Sequence, residues 1–303
     1  MPSQNFLELL TELTSWDVSL LLLTLVLYTA ISMTVGGTVA IFTLTYHQQL
    51  HSRTFNYLLV GCILGTLASC LSFFTQVGSF SESGLVGMFE TDFVIILWES
   101  GLGDSFKLQL VGWLLIAISI LLVWIKPHIN PIVSSLTLLG VVILISSFTV
   151  TGHTATTPLW IRAALILHVI TAMWWMGSLY LLRSACHLLE ISNLKDIMVK
   201  FGQQAMLMVG LLIIAGVVVA FHLEGSIENL ISTNHGNLLI AKLLMVALIL
   251  LIAAFHKWRF VPKLRDAQSV TTLRKSISRE MLLGAIILII TAAMSSLTGP
   301  ALI

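Results

Sequence analysis

The stretch Thr151–Leu182, T-G-H-T-A-T-T-P-L-W-I-R-A-A-L-I-L-H-V-I-T-A-M-W-W-M-G-S-L-Y-L-L, decides what kind of protein this is. From Leu159 it runs on, largely apolar, for longer than the ~20 residues a helix needs to cross hydrocarbon. Nine residues in, it carries an imidazole, His168. At 1.5 Å per residue that is ~14 Å along the helix axis, beyond easy snorkelling to the surface. An ionisable group at such depth costs ~2.5 kcal/mol or more if charged, so it is a functional-site candidate by default. His153 follows Gly152 where the preceding apolar run ends, and the turn Ala155–Pro158 can fold the two imidazoles toward one side of the membrane. Two neutral imidazoles near one another are the start of a metal site.

Composition agrees with a membrane setting. The 303 residues are 57% hydrophobic and 10% charged, with a mean hydropathy of +0.99. A soluble globule has apolar usage near ~45–50% and charge near ~25%. The net charge of +1 points to no partner class, and no nucleic-acid surface is expected. The amino terminus carries Glu8, Glu12 and Asp17 where a cleavable leader would be basic, so the first span is expected to be retained. Cys62, Cys70 and Cys186 lack C-x-x-C spacing and lie in apolar surroundings, which suits buried thiols.

Eight apolar runs reach spanning length, at about 18–46, 55–78, 106–126, 131–151, 159–186, 198–222, 237–256 and 278–299. The fold class expected is an all-α polytopic membrane protein, one transmembrane domain over residues 1–303, with no catalytic constellation. With the amino terminus outside, the inner side collects all of the 15 basic residues except Lys107, Arg162 and Lys242, so positive-inside places both termini outside. Glu82, Glu90, Asp92, Glu99 and Asp104 then form an acidic outer mouth that concentrates cations. The segment between Ser79 and Ser105 is too short to span and reads as a helix lying at the interface. Ser100, Gly103 and Gln109 share their spacing with Thr233, Gly236 and Lys242, a faint repeat that suggests two related four-helix halves in one orientation.

Depth sorts the nine histidines. His47, His51, His128, His187 and His256 fall on the inner side beside basic residues and read as solvated or headgroup-facing. His153, His168, His222 and His235 fall on the outer side and form the candidate ligand set. On the fifth span, His168, Ala172, Trp175 and Leu179 advance by four, three and four and share one stripe. Ala172 and Gly177 allow close approach of a neighbouring helix. Met173 on that span, Met33 on the first and Met294 on the eighth are thioethers that could serve a soft cation along a pathway. Lys242, six residues into the seventh span, repels a metal unless it snorkels outward or pairs with Glu224 or Glu228. No acidic residue is expected deep in any span, and no P-loop is present.

Four motifs, taken in order, resemble a known family. They are G-H at Gly152–His153, L-H-V-I-T-A-M-W-W-M-G-S-L at Leu167–Leu179, L-I-S-T-N-H-G-N-L-L-I-A-K at Leu230–Lys242 and W-R-F-V-P-K-L at Trp258–Leu264. Their order and spacing resemble the copper resistance protein D family, over residues 150–300 above all. The resemblance implies an eight-helix bacterial inner-membrane protein that moves copper from periplasm toward cytoplasm, beside a small periplasmic copper-binding protein. It carries over to His153, His168, Trp175, Gly177, Gly236 and Lys242. It does not carry over to His222; His235 stands where the family more often has tyrosine, and Gln109 where a basic residue is frequent.

Chemistry alone also suits copper: imidazole binds Cu(I) and Cu(II), and thioether binds Cu(I). The rival is a b-type cytochrome, since two histidines from neighbouring helices can ligate one haem iron, although the inner half offers no second pair. A third reading is a scaffold of the bilayer that transports nothing. Self-association into a homo-oligomer is left open by the sequence.

Overall fold

The structure, a computed structural model, describes residues 13–44, 48–81, 83–125, 131–224, 230–231 and 233–297, with the side chains of 42–44, 48–49, 153 and 223–224 outside the description. Every element in it is helical. Eight helices have the length and composition to cross a membrane. We label the helices α1 (Ser15–Leu44), α2 (Gln48–Ser81), α3 (Thr91–Trp98), α4 (Gly101–Ile125), α5 (Pro131–Ser146), α6 (Leu159–Leu188), α7 (Ile191–Glu224), α8 (Asn234–Phe255) and α9 (Ala267–Ser296). All but the short α3 are spanning. The chain is therefore a multi-pass, all-α membrane protein.

Local chemistry sets several of these ends. Pro131 opens α5, where its missing N–H is not needed. Gly152 adopts φ 59°, the left-handed backbone glycine tolerates, and starts the 3₁₀ turn Gly152–Thr156 between α5 and α6. The Thr233 hydroxyl accepts from Gly236 N–H at 2.9 Å and caps α8. Asp266 and Ser269 form a reciprocal capping box at the start of α9. That box starts the last span eleven residues earlier than its apolar run suggests. The difference is consequential, because it moves Glu280 from the margin of the span to its fourteenth residue.

Several hydroxyls within the spans turn back onto their own helices: Thr34 donates to Ala30 O, Thr38 to Thr34 O, Thr171 to Leu167 O and Ser178 to Trp174 O.

Helices α1 and α6 form the centre. They cross where Gly36 meets Gly177, so closely that a Cβ on Gly177 would overlap the Ser32 carbonyl. Half of the apolar window of α6 is buried (50%), against 6% of that of α8. Around this pair, α2 packs on α1, α7 on α6, and α9 on both. Helices α4 and α5 lock together through Gly112 and Gly140. In the amino-terminal half, α2 and α4 are joined firmly: the Trp113 indole fills the space a side chain at Gly65 would take and donates to Ser69 at 3.0 Å. In the carboxy-terminal half, α8 leans on α9 and turns Leu243, Leu244, Leu248 and Leu251 outward.

The segment between α2 and α4 holds a 3₁₀ turn, Gly84–Phe89, and then α3. Leu97 and Trp98 pack on Phe73 and Phe106, whereas Leu85, Val86, Phe89 and Ile96 remain exposed. It is an amphipathic cap over the α2–α4 end, as expected of an interfacial segment.

Candidate functional site

His168 sits ten residues into α6 and points at α7. Its Nδ1 lies 3.2 Å from the Leu212 carbonyl oxygen. A carbonyl can only accept, so Nδ1 carries the proton and Nε2 keeps its lone pair. Nε2 has no hydrogen-bond partner among the described residues. One turn further along α7, Gly216 makes room for the ring: a Cβ there would stand 2.9 Å from both Cε1 and Nδ1 of His168. Lys242 is half-buried, and the side chains of Glu224 and Glu228, its expected partners, lie outside the described residues.

The other candidate ligands have separate settings. The His222 ring packs edge-on against Trp160 at 6.0 Å, near the start of α6 and the end of α7. Trp160 is eight residues before His168, which places it ~12 Å away along the axis. His235 is half-buried in the first turn of α8. The His153 side chain lies outside the described residues; its backbone belongs to the 3₁₀ turn before α6, to which Arg162 donates at Thr157 O (3.1 Å) and at Ala155 O. Among the described residues no three His, Cys, Asp or Glu side chains come together as a metal-ion cluster.

The supporting residues separate in the same way. Gly177 makes the α1 crossing. Met33 lies against Gly61 of α2, Met173 is buried in the main core, and Met294 is buried near the end of α9. Trp175 is buried, and its indole N–H donates to Glu280 Oε1 at 2.7 Å.

That bond exposes two errors in the sequence reading. An acidic residue does lie deep in a span: Glu280 is 2% exposed. Nor does His256 face solvent or headgroups. Its side chain is 15% exposed, with Nδ1 at 3.2 Å from Glu280 Oε2 and Nε2 at 2.7 Å from Ser276 Oγ. Two signals mark these residues in the sequence: the D-x-x-S cap at Asp266–Ser269, which fixes the depth of Glu280, and Trp175, a donor too deep to reach water.

His256 opens a π-helical turn, His256–Phe260, at the end of α8, a distortion frequent at functional sites. Beyond Trp258 the chain turns through Pro262 into α9, which returns Glu280 to the imidazole. His187, near the end of α6, meets the Arg274 guanidinium at 2.9 Å.

Comparison with known proteins locates a family signal in this region. No curated protein and no solved structure matches the chain. A family model does, over residues 195–294, and its description is copper resistance protein D. The match begins in the second turn of α7, takes in all of α8 and ends two residues before α9 does, so it contains Lys242, His256 and Glu280. His168 and Trp175 lie on the helix just before it. The family that the motifs resemble is the one whose model matches, over residues 195–294 of a multi-pass membrane protein.

Proposed function

We propose that the chain takes copper from the periplasmic side of the bacterial inner membrane through His168 and passes it toward the cytoplasm. The observation that carries this reading is the His168 Nδ1 contact with Leu212 O, 3.2 Å. A ring nitrogen held by a carbonyl fixes tautomer and orientation and leaves the other nitrogen as a ligand, the arrangement in which metal-binding imidazoles are usually supported. His153, His222 and His235 occupy the outer ends of the same helices and serve as approach positions. A small periplasmic copper-binding protein is the natural donor at that face. Both termini are periplasmic in this reading, because the basic residues then collect on the cytoplasmic side.

Purified protein tests it. Wild type is expected to bind copper and, in vesicles, to admit it; His168→Ala is expected to bind on the order of 10- to 100-fold more weakly, the loss typical of a disturbed metal site. Unchanged copper content and uptake in His168→Ala would overturn the reading. A Soret band of stoichiometric intensity would replace copper by haem.

A further inference from the structure

The copper reading makes no use of Glu280, a buried carboxylate in the middle of α9. Its Oε1 accepts from the Trp175 indole, which can only donate. Its Oε2 has no well-formed hydrogen bond among the described residues, yet stands 3.2 Å from His256 Nδ1. The other side of the imidazole is closed by Ser276, at 2.7 Å from Nε2. Between Oε2 and Nδ1 there is room for one proton.

Charge decides how many protons the pair holds. With one shared proton, either as acid and imidazole or as carboxylate and imidazolium, the pair is neutral overall. With none it bears a net negative charge inside the bundle, and with two a net positive one. Either net charge is expensive away from water. One proton shared between the two groups is therefore the arrangement that leaves no net charge inside the bundle.

Among the described residues no Lys or Arg forms an ion pair with this carboxylate. From α6 the group facing the carboxylate is Trp175, and Arg183 is two turns on, donating to Ser278 at 2.9 Å. From the π turn, Lys257 is directed to Met206 Sδ on α7, and Phe260 packs against the His256 ring. From α1 the titratable group on α9 is Tyr28, bonded to Ser295, fifteen residues from Glu280. On α8, Lys242 precedes His256 by fourteen residues, ~21 Å. On α9 itself, Arg279 adjoins Glu280 in sequence and Arg274 is engaged with His187.

We propose that Glu280 and His256 form a proton-binding site that exchanges with water at the basic end of the bundle and couples proton movement to cation movement along α6. His256 provides the exit, being partly exposed at the turn that leads to Lys257 and Arg259. The cation side is supplied by the α6 stripe: Trp175, which holds Glu280, lies seven residues below His168, ~10 Å along the same face. A monovalent cation arriving from His168 can take the place of the proton one for one, so charge balances as the proton leaves. The coupling rests on the copper reading; the proton site does not.

Two measurements separate them. Infrared difference spectra between acid and alkaline pH read the site directly: wild type is expected to show a carboxyl change that vanishes in Glu280→Gln and moves in pH in His256→Gln. Identical spectra for wild type and Glu280→Gln overturn the proton site, whether or not copper moves. In vesicles containing a pH dye, a copper pulse is expected to move copper and protons together in wild type. Glu280→Gln should still bind copper as wild type does but lose the proton signal, with copper flux reduced on the order of tenfold, the scale of a coupling between two sites. Proton-linked copper flux that survives in Glu280→Gln overturns the coupling. Absence of copper flux in wild type overturns the copper reading and the coupling with it, and leaves the proton site to the infrared result.

Discussion

Helix α6 presents one stripe to two very different settings. In its first half, His168 meets a backbone carbonyl of α7, across from a glycine, and leaves one ring nitrogen without a partner among the described residues. In its inner half, Trp175 meets α9, where carboxylate, indole, imidazole and hydroxyl enclose one another. The first arrangement turns one ring nitrogen to a carbonyl; the second surrounds a carboxylate with an indole donor and an imidazole and leaves Oε2 without a well-formed hydrogen bond among the described residues. An atom with an unused lone pair can take something from outside, a ligand in the first setting and a proton in the second. The contrast follows from the neighbours, since the stripe is the same.

Both settings depend on where α6 lies, and the Gly36–Gly177 crossing fixes that. Substitution of Gly177 by Leu is the most severe way to break the comparison, because the new side chain would have to occupy backbone of α1. We expect loss of at least ~4 kcal/mol, the range reserved for severe overpacking, seen as failure to purify a monodisperse protein. Gly177→Ala should be milder but in the same direction. A Gly177→Leu variant that melts like wild type would show that the crossing does not fix α6.

The inner setting can be dismantled alone. Glu280→Ala removes the acceptor from a buried indole N–H and the carboxyl that faces the His256 ring, and each orphaned donor costs roughly 1–3 kcal/mol. A drop of about 2 kcal/mol or more in stability in detergent is expected, with copper binding at His168 retained. Glu280→Gln keeps an oxygen for Trp175 and should recover most of the loss. If Glu280→Ala instead removed copper binding and left the melting point unchanged, the two settings would be a single site.

The outer setting is finer. Gly216→Ala places a methyl group 2.9 Å from two atoms of the His168 ring, closer than side chains ordinarily come. The imidazole must turn away from Leu212 O, so its tautomer is no longer held. A fall in copper affinity of a few fold to about tenfold is expected, within the range seen when the support of a ligand is altered. The melting point should move little, because the atoms met are those of a side-chain ring and not of backbone. An unchanged affinity would mean that the Leu212 contact does not prepare the ligand.

What the sequence disclosed follows the same division. Spans are legible because lipid demands a long apolar run, and His168 stands out because nothing in such a run explains an imidazole. The close approach at Gly177 is legible from residue size. Glu280 is hidden for a physical reason: it follows S-I-S-R at the basic end of α9, where a carboxylate looks like surface. Only the cap at Asp266 shows that the helix has already run thirteen residues by then. His256 is hidden by its basic neighbours Lys257 and Arg259, which share its turn and not its environment. Hydropathy averages a turn, whereas burial is decided side chain by side chain. His222 and His235 lie at helix ends and His168 well inside one, and the side chain of His153, the companion expected for His168, lies outside the described residues.

The smallest effect concerns the cap that sets Glu280 at its depth. The Asp266 carboxylate accepts from Ser269 N–H at 2.8 Å, and these bonds hold its pKa below the ordinary carboxylate value. A carboxyl whose pKa is lowered on folding contributes stability at neutral pH, where it is ionised in both states, and that contribution is lost as pH falls through the folded value. Acidification should therefore fray the first turn of α9 before it affects the apolar core. Asp266→Asn keeps a capping oxygen without the titration, so its melting point should sit close to that of wild type at neutral pH and change less on acidification. Asp266→Ala should show a small loss at neutral pH and no further loss in acid attributable to the cap. Hydrogen exchange at Ser269 and Val270 reads the turn itself, and equal acid sensitivity in wild type and Asp266→Asn would assign the fraying to another group.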